Sequence, residues 1–215
     1  MAQDTAGAIT KMAEAESLAD MMEIRLDVME SFDLKEIIGA AKKPVIVTYR
    51  SKKEGGNGLA RYETRVRHLV SALECGADFV YVEFSMPQIY RQEIFRSKGR
   101  SGIIISKHFS NNTPTKERLQ ETFRNMAATG ADVVKIVTYA MAPEDSLRVM
   151  DLIPVAQRLG VKIIAFCMGT HGRISRIFTL ILGGYLSFAS LEEGQESASG
   201  QIPARQMKNL IEILS

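Results

Sequence analysis

Apolar positions recur along this chain in two alternating rhythms. TAGAITKMAEAESLA carries them at helical spacing, MEIRLDV at the two-residue spacing of a half-buried strand, and DLKEIIGAAKK at helical spacing again. PVIVTYR predicts a strand, YETRVRHLVSALECGA a helix, DFVYVEF a strand and MPQIYRQEIFRS a helix. GIIISKHF (strand), TKERLQETFRNMAATGA (helix), DVVKIVT (strand) and PEDSLRVMDLIPVAQRLG (helix) continue the alternation. VKIIAFCM is a strand, GRISRIFTLILGG a helix, YLSFASL a strand and PARQMKNLIEIL a last helix. ECGADFVYVEF and ATGADVVKIVT form a weak internal repeat, in which a helix-capping glycine leads straight into an apolar strand.

Short apolar strands each followed by a helix are parallel βα units. The eight helices and seven strands read here predict an α/β fold, a (β/α)8 TIM barrel forming one catalytic domain over residues 1–215. Only MAQD precedes the first helix, so the first strand is expected to be missing or truncated. Either Met1 closes that strand or the barrel is open there. A doubly wound open sheet is the alternative, but it usually carries a glycine-rich first turn, and no G-x-G-x-x-G occurs.

Composition changes this picture little. The 46% hydrophobic and 24% charged fractions suit a soluble globular chain, and a net charge of +2 without a basic tract offers nothing to nucleic acid. Cys75 and Cys167 lie far apart without metal-ligand spacing, so no metal is expected, and two unpaired thiols suit a reducing cytoplasm. MAQDTAG lacks the basic and apolar regions of a secretory signal, and IFTLILGGYL is too short to span a bilayer, so neither export nor a membrane partner is expected.

Polar residues cluster where a barrel does its chemistry, at the C-terminal ends of strands. Alternation places Glu23, Arg25 and Asp27 on one face, then Thr48 and Arg50, Glu83, Ser106 and His108, and Lys135. A strand packed only against helices has no use for them, so together they predict a polar pocket for a small molecule. Bland readings stand beside this one: Arg25 and Asp27 as a structural ion pair, and Glu83 as buried support for the lysine. His68 is expected at the surface, and His171 in a loop either near the site or incidental to it.

Lys135 is the informative residue. ADVVKIVTYA sets an ammonium among valines and isoleucine, where burial is expensive. A poorly solvated lysine beside cations such as Arg50 and Arg176 has a lowered pKa, and its amine attacks ketones to form an imine. The imine draws electrons from a neighbouring C–H bond, and His108 on the preceding strand suits the base that takes the proton. Aldol cleavage and β-elimination of water both remain open at this point.

In order along the chain, EIRLD, TYRSKKEGG, ISKHFSNNTP, ADVVKIVTYA, MGTHGRISRI and GGYLSFASLEEGQESASGQIP resemble the segments of type I 3-dehydroquinate dehydratases. The resemblance implies syn elimination of water from 3-dehydroquinate to give 3-dehydroshikimate, the third step of the shikimate pathway towards chorismate and aromatic amino acids. It implies a cytoplasmic homodimer without cofactor. Lys135 would form the imine, His108 would act as general base and acid, and Glu54 would orient His108. Arg176 would clamp the substrate carboxylate together with Ser197 and Gln201 of a closing loop, Glu23, Arg25 and Arg50 would bind the ring hydroxyls, and Met168 would wall the ring. Phe109 directly after His108, and SASGQ where SAPGQ is usual, depart from that pattern; Ser199 should loosen the closing loop. No fused shikimate dehydrogenase is expected. A class I aldolase fits less well, because Arg176, Ser197 and Gln201 suit a carboxylate better than a phosphate. A barrel that merely binds a small acid has no need of a base beside an amine.

Overall fold

A computed structural model describes residues 1–214. The chain divides into two compact units, Met1–Ile104 and Ile105–Ser215.

In the first unit α1 (Thr5–Ala15) begins at Asp4, whose Oδ1 accepts from the Gly7 amide at 2.7 Å and so satisfies one open donor of the first turn. Asp33 caps α2 (Leu34–Ala40) in the same way, through the Glu36 amide at 3.0 Å. β1 (Met22–Arg25), β2 (Val45–Thr48) and β3 (Phe79–Glu83) run parallel, with Arg25 opposite Thr48 and Thr48 opposite Tyr81. All four residues of β2 are buried, as a strand covered on both faces requires. α3 (Tyr62–Glu74) and α4 (Gln88–Arg96) pack Leu69, Ala72 and Ile94 into this core. β4 (Gly102–His108) begins in this unit and ends in the next.

The second unit continues with α5 (Lys116–Ala127) and β5 (Val133–Tyr139), then α6 (Pro143–Met150) and α7 (Leu152–Arg158). β6 (Lys162–Met168) pairs in parallel with β5 over its whole length, from Val133–Lys162 to Tyr139–Met168. α8 (Arg173–Ile181) and α9 (Ala204–Leu214) close the chain, with Ile177, Ile202 and Met207 forming a small core between them. Leu119, Phe123, Ile153 and Ala156 are fully buried in the unit's interior.

The βα alternation is the one the periodicity predicts, and no strand precedes α1 among the described residues, as expected. Three details differ. β1 stops at Arg25 and Leu26–Val28 form a single 3-10 turn, so Asp27 leaves the strand. PEDSLRVMDLIPVAQRLG breaks at Asp151, because Pro154 has no N–H for the Met150 carbonyl four residues back. YLSFASL is not a strand. The Tyr185 amide reaches the Ile163 carbonyl of β6 at 2.7 Å, but Ser190 turns aside to exchange bonds with Ile202 and Ala204. Those bonds join the two ends of the 191–201 loop.

Candidate active site

In the first unit the carboxylates of the strand ends act mainly as fasteners. Arg25 closes a fork on Asp27, Nε to Oδ1 and Nη2 to Oδ2, both at 2.7 Å. Asp27 also accepts from the amides of Arg50 (3.1 Å) and Asn57 (3.0 Å), and so anchors the loop after β2. Burial opposes the charge on Arg25, but Asp27 and the nearby Glu23 outweigh it and hold its pKa above the ordinary value. Burial likewise pushes Asp27 up, and its bonds from Arg25, Asn57 and Arg50 bring it below the usual carboxylate range. The structural ion pair weighed for Arg25 and Asp27 is present.

Glu23 accepts from the Thr48 hydroxyl at 2.7 Å and lies 3.8 Å from Arg50 Nη2. Arg50 is buried, rests 5.4 Å from the centre of the Tyr81 ring, and its Nε has no hydrogen-bond partner among the described residues. The loop that carries it needs its glycines. A Cβ on Gly56 or Gly58 would stand 2.3 or 2.6 Å from the Arg50 carbonyl oxygen. Glu54 is buried at the base of this loop and accepts from the Ser85 hydroxyl at 2.7 Å. Glu83 binds Arg65 at 2.6 Å and the Ser51 amide at 2.7 Å. It therefore braces the same loop. His68 corrects an expectation: it is half-buried, edge-on to Phe32 and stacked on Tyr49, with its pKa lowered by burial and by Arg67.

In the second unit His108 ends β4 and Lys135 lies within β5. The two strands are neighbours, and the Phe109 amide donates to the Val137 carbonyl at 2.8 Å. Lys135 shares a face with Val137 and lies two residues before it in β5, beside the strand that His108 ends. Both are buried; Lys135 is 2% exposed, between Val133 at 0% and Val137 at 2%. Lys135 Nζ sits 3.6 Å from the centroid of the Phe188 ring. Phe188 lies 6.2 Å from Phe166, and the Arg176 guanidinium lies 4.6 Å from the Phe166 ring.

Arg176 is 1% exposed, and no acidic side chain pairs with it among the described residues. It donates to the carbonyls of Phe188 (3.4 Å) and Ser199 (3.2 Å), and its Nε is unpartnered. Burial lowers its pKa to about 10. A guanidinium enclosed in this way lacks the anion that would compensate its desolvation. The 191–201 loop folds over it. The Ser199 carbonyl also accepts from Gly169 (3.2 Å), and Gln201 Oε1 accepts from the amide (2.6 Å) and hydroxyl (3.2 Å) of Ser197. Gly200 adopts a left-handed φ of +80°, and a Cβ there would meet the Gly169 carbonyl at 2.4 Å. Thr170, Arg173 and residues 196–201 line an open cavity of about 520 Å³ beside this loop.

Met168 is half-buried at the end of β6, and His171 is exposed. Behind the site, Cys167 is buried, meets the Thr138 hydroxyl at 3.1 Å, and donates from its amide to Ser175 Oγ at 2.8 Å. Burial, only partly offset by such hydroxyl contacts, raises its pKa. Phe166 and Phe188 were not singled out from the sequence. Their only trace there is an aromatic at the end of a strand and another in a segment that alternation reads as a strand. Among the described residues no group of three or more His, Cys, Asp or Glu is placed to hold a metal, and no helix is long and apolar enough to cross a membrane.

The family model for type I 3-dehydroquinase matches residues 1–215. The 3-dehydroquinate dehydratase of Syntrophobacter fumaroxidans is 34% identical over 203 residues, covering 90% of this chain and 86% of its own length. That of Methanococcus maripaludis strain C5 is 32% identical over 214 residues, covering 99% and 96%. Among solved structures, the type I dehydratase of Clostridium difficile with covalent modified comenic acid superposes with a TM-score of 0.87 at 25% identity, covering 99% of this chain and 88% of that one. The fold class is thus the α/β (β/α)8 barrel read from the strand–helix alternation. This chain belongs to the type I 3-dehydroquinase family, the dehydratases (hydro-lyases) of the shikimate pathway.

Proposed function

We propose that this enzyme converts 3-dehydroquinate to 3-dehydroshikimate through an imine on Lys135, with His108 as general base and acid. The observation that carries the reading is the enclosure of Lys135, 2% exposed inside an apolar strand, in the unit that also buries Arg176 without an acidic partner. One buried cation suits a ketone and the other a carboxylate, and 3-dehydroquinate bears both groups.

Nζ attacks the ring ketone, and loss of that oxygen as water leaves an iminium on Lys135. His108 takes the proton from the adjacent carbon, and the C–H electron pair moves into the iminium to give an enamine. The enamine pair then expels the β-hydroxyl, which leaves as water with the proton from His108. Hydrolysis of the conjugated iminium returns the lysine and the enone, for a net loss of one water.

Glu54 is assigned the orientation of His108. Arg176 takes the carboxylate with a fork suited to it, while Ser197 and Gln201 close over that end. Glu23, Arg25 and Arg50 bind the ring hydroxyls and Met168 covers the ring. Arg25 does so with the edge that Asp27 leaves open. The whole of 1–215 serves as one catalytic domain, without a cofactor, in a cytoplasmic homodimer.

Borohydride added during turnover with 3-dehydroquinate should attach a substrate-derived mass to Lys135. Turnover by Lys135→Ala at the wild-type rate, with no adduct on the wild-type enzyme, would refute the mechanism. His108→Ala should still trap imine while elimination slows by at least ~10²-fold. Sedimentation that finds only monomer would overturn the dimer.

A further inference from the structure

Two cations of the second unit share one aromatic support. The Phe188 ring faces Lys135 Nζ at 3.6 Å from its centroid, and Phe166 stands 6.2 Å from Phe188 with the Arg176 guanidinium 4.6 Å from its own ring. Arg176 Nη1 in turn holds the Phe188 carbonyl at 3.4 Å, which fixes the backbone from which the ring projects. Phe166 is 3% exposed, and its strand pairs with β5, placing Phe166 opposite Val137, two residues beyond Lys135. The Phe188 ring is thereby braced from behind and from its own main chain.

We propose that Phe188 is a positioning residue for Lys135, its ring face holding Nζ in one place before and after the imine forms. The inference rests on the imine reading above. Ammonium plus ketone gives iminium plus water, so the positive charge stays on the same nitrogen through the step. A ring face attracts that charge in both states through its quadrupole, yet it can neither accept the proton the amine must shed nor compete for it. It also keeps water from the nitrogen, and reactive geometry depends on placement at the level of an ångström. Phe166 completes the arrangement by seating Arg176 and limiting how far the Phe188 ring can tilt.

Fluorination at position 188 separates this role from simple packing, because it drains the quadrupole with little change of shape. Phenylalanine, trifluoro- and pentafluorophenylalanine would be placed at 188 in the full chain. Borohydride trapping of 3-dehydroquinate on Lys135, kcat, KM and the thermal midpoint would be read for each. Trapping rate and kcat should fall stepwise along the series, to roughly a tenth with the pentafluoro ring, while KM stays within about threefold. Phe188→Leu should fall at least as far. Flat trapping across the series, a Leu variant that works like wild type, or losses that follow the thermal midpoint would each overturn the positioning role. Absence of any adduct on the wild-type enzyme during turnover would instead overturn the imine reading.

Discussion

The two compact units treat buried charge in opposite ways. In Met1–Ile104 the buried arginines are answered by carboxylates: Arg25 by Asp27, Arg65 by Glu83, and Arg50, more loosely, by Glu23. In Ile105–Ser215 Arg176 meets only carbonyls and an aromatic face, and Lys135 Nζ rests on another ring. The first pattern ties loops down. Asp27 and Glu83 each hold backbone amides of the 50–57 loop as well as an arginine. The second leaves the Arg176 guanidinium without a carboxylate, at a cost in stability, which suits the carboxylate proposed for it.

Substitutions can break this contrast, beginning with the largest effect. Lys135→Ala should lower kcat by ~10⁴-fold or more, as removal of a covalent nucleophile does, measured as appearance of the conjugated enone. Arg65→Met should cost about 3–5 kcal/mol in urea unfolding, because Glu83 would be left buried without its cation. Arg176→Met is the sharpest comparison. With no carboxylate to orphan, it should change unfolding free energy by no more than ~1 kcal/mol while kcat/KM falls by ~10²-fold. Equal stability losses in the two methionine variants would erase the distinction between the units.

Acid tests the carboxylate side of the comparison at Asp27. Asp27 is held below its ordinary value of 3.8, so on acidification the unfolded chain takes up the proton first. Its contribution is therefore complete above that value and lost as pH falls through the lower, folded one. Asp27→Asn should flatten this part of the stability profile, measured by urea midpoints at pH 6 and pH 3. The smallest effect is expected from Ser199→Pro. Proline keeps the carbonyl used by Gly169 and Arg176, and it should lower KM two- to threefold by reducing the freedom of the open loop, about 0.4–1 kcal/mol.

Much of the fold was readable because its cues are local. Period-two and period-3.6 stretches, capping Asp residues and C-terminal glycines mark βα units without reference to distant parts of the chain. Strand ends were harder. Asp27 alternates with Arg25 in MEIRLDV, yet a 3-10 turn removes it from the strand so that it can reach both Arg25 and the next loop. YLSFASL has a strand's pattern, but the bonds that would extend its ladder go to closing the base of a loop. His68 looked exposed on its helix because nothing nearby in sequence announces Phe32 and Tyr49 as its neighbours.

By itself, the sequence determined the order of βα units, the lysine set in an apolar strand and the ordered segments of the dehydratase family. All of these are written in short stretches of adjacent residues. Only the tertiary structure decided which cations are answered and by what. Asp27 and Glu83 go to arginines, Arg176 goes without a carboxylate, and Phe188 comes to Lys135 from a remote part of the chain. Such pairings depend on distance and desolvation in the folded interior, and a linear pattern of residue types carries neither.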